Sequence, residues 1–163
     1  MRVLIIDGYV DEPACLGVPP YMAPYPRYIA GALIEKGLQK EDITYRTIDR
    51  IRSIREPLRF DLIVIIAGMT VPGKYLRASP ITLKEIRELS HLEGTKIIGG
   101  PIRLGYGEEG GSSAKDLQIP GITLAKKDIE AFVYDFMDHK DPSCVQHRMR
   151  TTTEIGRWGD LGA

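Results

Sequence analysis

The sequence lacks most of what would let composition alone assign a chemistry. It has two cysteines in 163 residues, Cys15 and Cys144, too far apart for metal-ligand spacing and too few for a disulfide scaffold. It has no excess of either charge. The 22 Lys plus Arg balance 22 Asp plus Glu, so no long-range field draws polyanions and nucleic acid is not an expected partner. No apolar run approaches the length that crosses a bilayer, and the start lacks the basic segment and apolar core of a signal peptide. The expectation is a soluble, cytoplasmic protein with no membrane partner, long enough for one well-buried domain and too short for two.

What the sequence does have is three short apolar runs that each lead into glycine: Arg2 to Gly8, Asp61 to Gly68 and Lys96 to Pro101. The middle one, Asp61-Leu62-Ile63-Val64-Ile65-Ile66-Ala67-Gly68, is unbroken and rich in β-branched residues, as a strand reads when helices cover both its faces. Between the runs lie helical patterns. Tyr25, Ile29, Ala32, Leu33 and Lys36 recur at helical spacing after Pro26 and stop at Gly37. Ser79-Pro80 suits the opening of a helix over Ile81 to Ser90, and Ile129, Phe132, Val133, Phe136 and Met137 form a stripe in a last helix. Ile43 to Ile48 alternates like an edge strand, and Ile119 to Ala125 supplies a short fifth strand. Asp49 to Glu56 is a helical turn whose Arg50, Arg52 and Arg55, with Asp49, Glu56 and Asp61 nearby, read as solvated surface. Residues 108 to 118 make at best a weak helix against Gly110 and Gly111.

This order predicts a flavodoxin-like (Rossmann-like) doubly wound parallel sheet of five strands, order 2-1-3-4-5, in three α/β/α layers. Such sheets collect ligands beyond the carboxyl ends of their strands. The loops there are Tyr9 to Pro24, stiffened by Pro13, Pro19, Pro20 and Pro24, then Met69 to Ala78, then the glycine-rich Gly99 to Gly107. From Asp138 onward no periodic element is legible. The tail either wraps back through Val145, Met149, Ile155 and Trp158 or leads to a further domain, and the sequence favours the second. The domain is therefore expected over 1–137, with a tail or linker over 138–163.

Two familiar sites are absent. Asp7-Gly8-Tyr9-Val10-Asp11-Glu12 is not the Gly-x-Gly-x-x-Gly of a dinucleotide site. Asp7, Asp11 and Glu12 imitate a magnesium pocket, yet the third strand ends in Ala67-Gly68-Met69 with no aspartate to accept a phosphoryl group. His91, His139 and His147, at a helix end and in the tail, read as structural or solvated.

The run Asp7 to Pro20, the later Pro24-Tyr25-Pro26-Arg27-Tyr28, the Gly68-Met69-Thr70 loop and Gly99-Gly100-Pro101 together resemble the amino-terminal, cobalamin-binding-like domain of archaeal radical SAM proteins. The resemblance runs over about residues 1–137. It implies a domain that holds cobalamin or docks a catalytic domain and performs no catalysis itself. The radical SAM core needs Cys-x3-Cys-x2-Cys for its [4Fe-4S] cluster, which this sequence lacks. The cluster and S-adenosylmethionine are accordingly expected only in a C-terminal radical SAM domain, a partner in cis beyond Ala163. The lower-ligand histidine of cobalamin domains is also missing, which changes the expected binding mode. The residues then expected around a cofactor are Asp7, Gly8, Tyr9, Gly68, Met69, Thr70, Gly99, Gly100, Pro101 and Tyr106, acting through backbone amides, the Thr70 hydroxyl and tyrosine rings. The competing expectation is a degenerate docking domain whose crevice the 9–24 loop fills. A free-standing small-molecule-binding protein is the third.

Overall fold

The three apolar runs form the middle of one parallel sheet. In the computed structural model, which describes residues 1–9, 24–55, 57–68, 80–104, 106–107, 113–114 and 118–163, they are β1 (Val3–Asp7), β3 (Leu62–Ile66) and β4 (Thr95–Gly99). Every residue of β1 and β3 is buried, which is why both read as continuous rather than alternating patterns. The edge strand β2 (Ile43–Thr47) pairs with β1, and at the far side β7 (Thr123–Leu124) pairs with β4. The order is β2-β1-β3-β4-β7, the expected 2-1-3-4-5 with β7 as fifth strand, and all pairings in this sheet are parallel. The fold is a flavodoxin-like three-layer α/β/α sheet. Asp7 lies opposite both Thr47 and Ile66, and Ile66 opposite Gly99, so the carboxyl ends of four strands finish level.

Alternation decides which layer each strand residue faces. Val3, Ile5, Val64, Ile66 and Ile97 pack under α1 (Tyr25–Glu35) and α4 (Ile129–His139), together with Ile29, Leu33, Phe132 and Phe136. Leu4, Ile6, Ile63, Ile65 and Ile98 pack on the other face under α2 (Ile48–Ser53) and α3 (Leu83–Leu89), with Ile48, Ile81 and Ile86. The α4 stripe is buried as expected, and Gly37, at φ 92°, ends α1 in a conformation that side-chain-bearing residues avoid.

Three local expectations are corrected. The helix expected from Ile81 begins two residues later. Ile81 N–H donates to the Gly8 carbonyl, which holds that segment extended against β1, and Thr82 caps the helix in a reciprocal box with Glu85. Ser79 lies outside the described residues. Within 108–118, Ser113–Ala114 (β6) is not helical but pairs antiparallel with Tyr106–Gly107 (β5), consistent with glycines that oppose a helix. The third correction concerns the tail. After a 3-10 turn at Pro142–Cys144 and an extended stretch, Thr152–Leu161 forms a helix, α5. Thr151 and Glu154 cap it reciprocally, and it packs outside α1 and α4 with Trp158 fully buried beside Ala32, Ala131, Tyr28 and Tyr134. Val145 is buried as the wrapping alternative requires, whereas Met149 is exposed. Arg148 clamps the tail by reaching both Asp135 of α4 and Glu154 of α5 with paired hydrogen bonds of 2.8–3.0 Å.

Candidate functional site at the carboxyl ends of the strands

The rim begins with a buried acid. Asp7, the last residue of β1, is 1% exposed; its Oδ1 accepts from Tyr9 N–H and its Oδ2 from the Tyr45 hydroxyl, each at 2.9 Å. The first of these bonds fixes Tyr9 at φ 57°, a conformation unusual for a residue with a side chain. Tyr9 does not stand over the rim as a cofactor lid. Its ring lies against the α2–α3 side of the core, and its phenol meets Thr47 and Asp49. Burial raises the Tyr9 and Tyr45 phenols above their ordinary range, and the Asp7 carboxylate raises them further. Burial also raises the Asp7 carboxyl, against the pull of its Tyr9 and Tyr45 bonds.

The glycines beside Asp7 bring the chain close to itself. Gly8 N–H donates to the Ile66 carbonyl at 2.9 Å, and a Cβ there would collide with that oxygen and with Ile81. A Cβ on Gly68 would lie 2.6 Å from Pro101, and one on Gly99 would lie 2.7 Å from Ile129. Ala67 N–H donates to Gly99 and Ile102 N–H to Ala67, both at 3.0 Å, so the ends of β3 and β4 are knitted together. Gly100 makes the turn at φ 92°. Asp7, Gly8, Tyr9, Gly68, Gly99, Gly100 and Pro101 thus lie together at one end of the sheet. At Gly8, Gly68 and Gly99 the close approach is made by Ile81, Pro101 and Ile129 of the same chain. Met69, Thr70 and the 10–23 part of the proline-rich loop lie outside the described residues, and Tyr106 sits in the small β5–β6 pair.

Beside this rim, at the start of α4, is a charged cluster the sequence did not suggest. Asp128 is 6% exposed; it accepts from Arg103 Nη1 at 2.9 Å and from Arg150 N–H at 3.0 Å. Glu130, in the first turn of α4, is fully buried and pairs with the Arg150 guanidinium, which also lies 4.8 Å over the Tyr28 ring. Burial raises the Glu130 carboxyl, with Arg150 opposing. The legible signal was Glu130 among the apolar residues Ile129, Ala131, Phe132 and Val133, an acid in a helix segment buried on most sides. His147 is structural, as expected: it stacks on Phe132 with centroids 5.0 Å apart and accepts from Lys126 N–H at 3.1 Å. Among the described residues no three His, Cys, Asp or Glu side chains are grouped to hold a metal, and no helix is long and apolar enough to cross a membrane.

No family model and no solved structure matches the chain. Two archaeal proteins do. An uncharacterized protein of Methanocaldococcus jannaschii is 39% identical over 171 residues, covering 99% of this chain and 31% of its own length. An uncharacterized protein of Archaeoglobus fulgidus is 49% identical over 123 residues, covering 73% of this chain and 22% of its own length. The chain therefore spans less than a third of the relatives it matches.

The ionisation of Asp7 is testable. A carboxyl raised by burial contributes stability that is complete below its ordinary value of 3.8 and is lost as pH rises through the folded value. Asp7→Asn keeps an oxygen for Tyr9 N–H and offers an N–H to the Tyr45 oxygen. It is expected to stabilise the fold at pH 7 by on the order of 1 kcal/mol, a gain that fades on acidification towards pH 4. Urea unfolding across that range measures it; a variant weaker than wild type at pH 7 would mean the ionised carboxylate itself supports the fold.

Proposed function

We propose that the chain is a non-catalytic docking domain of a longer polypeptide, of the kind that precedes the catalytic domain in radical SAM proteins. The observation that carries this reading is the rim itself. Glycines that resemble the cofactor-contacting glycines of cobalamin domains here seat Ile81, Pro101 and Ile129, so a ligand loses three of its closest backbone approaches. The relatives extend more than two-thirds of their length beyond the matched region, which supports a partner in cis. The chain's own residues supply structure: Asp7 orients the β1 loop, the β3–β4 ends are locked by hydrogen bonds, and Arg148 fixes the tail across α4. In this reading [4Fe-4S] and S-adenosylmethionine belong to the catalytic partner.

Cobalamin retention is the second reading, favoured by the carboxyl ends of β1, β3 and β4 finishing at one level. Titrating hydroxocobalamin and methylcobalamin anaerobically into the folded protein separates the two. The docking reading expects no change in the visible spectrum up to about 100 µM cofactor, near −5.5 kcal/mol of binding. A saturable shift with one cofactor per chain would replace it with cofactor binding.

A further inference from the structure

A hollow lies on the α2 side of the β2 edge, reaching towards the amino ends of β1 and β3. Helix α2 is six residues long, about 9 Å, and too short to cover the face of β2 beneath it. The result is a groove of about 520 Å³, within the range of small-molecule sites. Five arginines line it: Arg2, Arg46, Arg50, Arg55 and Arg59. No described carboxylate does; Glu56 lies outside the described residues. The three helical-turn arginines thus divide. Arg52 turns away and is held by Glu85 at 2.6 Å and Asp49 at 2.7 Å, whereas Arg50 and Arg55 face the groove, and among the described residues the side chains of Arg50, Arg55 and Arg59 meet no carboxylate. In a chain of zero formal net charge, this is a local concentration of one sign.

Two further features define the occupant. Leu58 and Phe60 form a half-exposed apolar patch in the groove, and the Arg2 guanidinium already stacks 5.1 Å from the Phe60 ring centre. A planar group can therefore lie on this patch while guanidinium groups reach outward. Beyond Arg59 and Phe60 the adjoining hollow is lined by Asp61 and Glu93, which ends the cationic stretch. A long nucleic-acid strand leaving in that direction would meet like charge, whereas a compact polyanion would not.

We infer that this groove binds a nucleoside polyphosphate, with its phosphates among Arg46, Arg50, Arg55 and Arg59 and its base on the Leu58–Phe60 patch beside Arg2. Arginine suits the role because its planar fork donates two hydrogen bonds to one phosphate. The groove lies on the β2 edge rather than at the strand-end rim, so this site and the docking reading stand or fall separately.

The test is calorimetric titration of ATP, inorganic tripolyphosphate, adenosine and a 20-nucleotide polyuridylate into the wild-type chain. It is repeated with Arg50→Gln/Arg55→Gln and with Lys84→Gln/Arg87→Gln, which removes the same charge from exposed α3. Thermal unfolding checks that both variants fold; if the groove double variant does not, Arg59→Gln takes its place. Saturable one-to-one binding of ATP is expected, weakened about ten-fold or more in the groove variant and within about two-fold of wild type in the α3 variant. Adenosine should bind far more weakly than ATP. Failure of millimolar ATP to bind, or equal loss in both variants, overturns the site. Tripolyphosphate binding as tightly as ATP overturns the assignment of the apolar patch to a base, and polyuridylate binding more tightly than ATP overturns the compact-ligand reading.

Discussion

Replacing Trp158 by alanine is expected to cost about 3–5 kcal/mol of stability, a large share of what a domain of this size possesses. The indole is fully buried, lies 5.2 Å from the Tyr134 ring, and donates through Nε1 to Glu35 at 2.6 Å. Glu35 in turn receives Arg157 at 2.9 Å, so truncation leaves both a cavity and a carboxylate with one bond fewer. A second variant separates the seating of α5 from the loss of a large side chain. Gly31 lies in the middle of α1, where alanine is the better helix former by about 1 kcal/mol. A Cβ there collides with the backbone of Trp158. Gly31→Ala should therefore destabilise by about 2–3 kcal/mol and shift the emission of the only tryptophan to the red. Urea unfolding followed by fluorescence and circular dichroism measures both effects. If Gly31→Ala stabilises the protein and leaves the emission unchanged, α5 does not sit on α1 and the tail is a linker after all.

That contact explains why the tail was illegible while the sheet was not. β1, β3 and β4 announce themselves because burial on both faces demands uninterrupted apolar residues, and α4 because five residues of one stripe enter the core. In α5 only Glu154 and Trp158 are buried, one of them charged, and much of the rest of the contact is backbone against Gly31 and Arg27 and the Arg157–Glu35 pair. No periodicity survives such a docking. The Thr151-x-x-Glu154 capping box was the one available sign. Ser79-Pro80 misled for a related reason: a plausible cap lost to Thr82 because Ile81 is tied to Gly8, a tertiary bond no local pattern encodes. The rim residues were found because strand ends and glycines are sequence features. What fills the spaces at Gly8, Gly68 and Gly99 was not, since Ile81, Pro101 and Ile129 come from other parts of the chain. The arginine groove was hidden for the same reason, with contributors at positions 2, 46, 50, 55 and 59.

Arg150→Met is expected to cost about 3–5 kcal/mol at pH 7 and far less near pH 4, because the cost resides in Glu130. That carboxylate is fully buried, its Oε1 meets Arg150, and its Oε2 has no hydrogen-bond partner among the described residues. Burial raises its carboxyl above the ordinary 4.5 and nearby Asp128 adds to the rise, while Arg150 opposes both. The stability from a raised carboxyl is complete below the ordinary value and is lost as pH rises through the folded value. Removing Arg150 takes away the opposing charge, moves the folded value higher and deepens the loss at neutral pH. Below about pH 4, where Glu130 is protonated in both states, the losses that remain are the contact with Tyr28 and the looser pairing with Asp128 at 3.9 Å, about 1 kcal/mol. The acid loss of the Arg148 clamp is common to both proteins and cancels in the difference. Glu130→Gln in the Arg150→Met background should therefore recover most of the deficit at pH 7 and nearly none at pH 4. A deficit independent of pH, or one that Glu130→Gln leaves in place, would mean that Arg150 acts through Asp128 and the start of α5 rather than as the counter-charge of a buried acid.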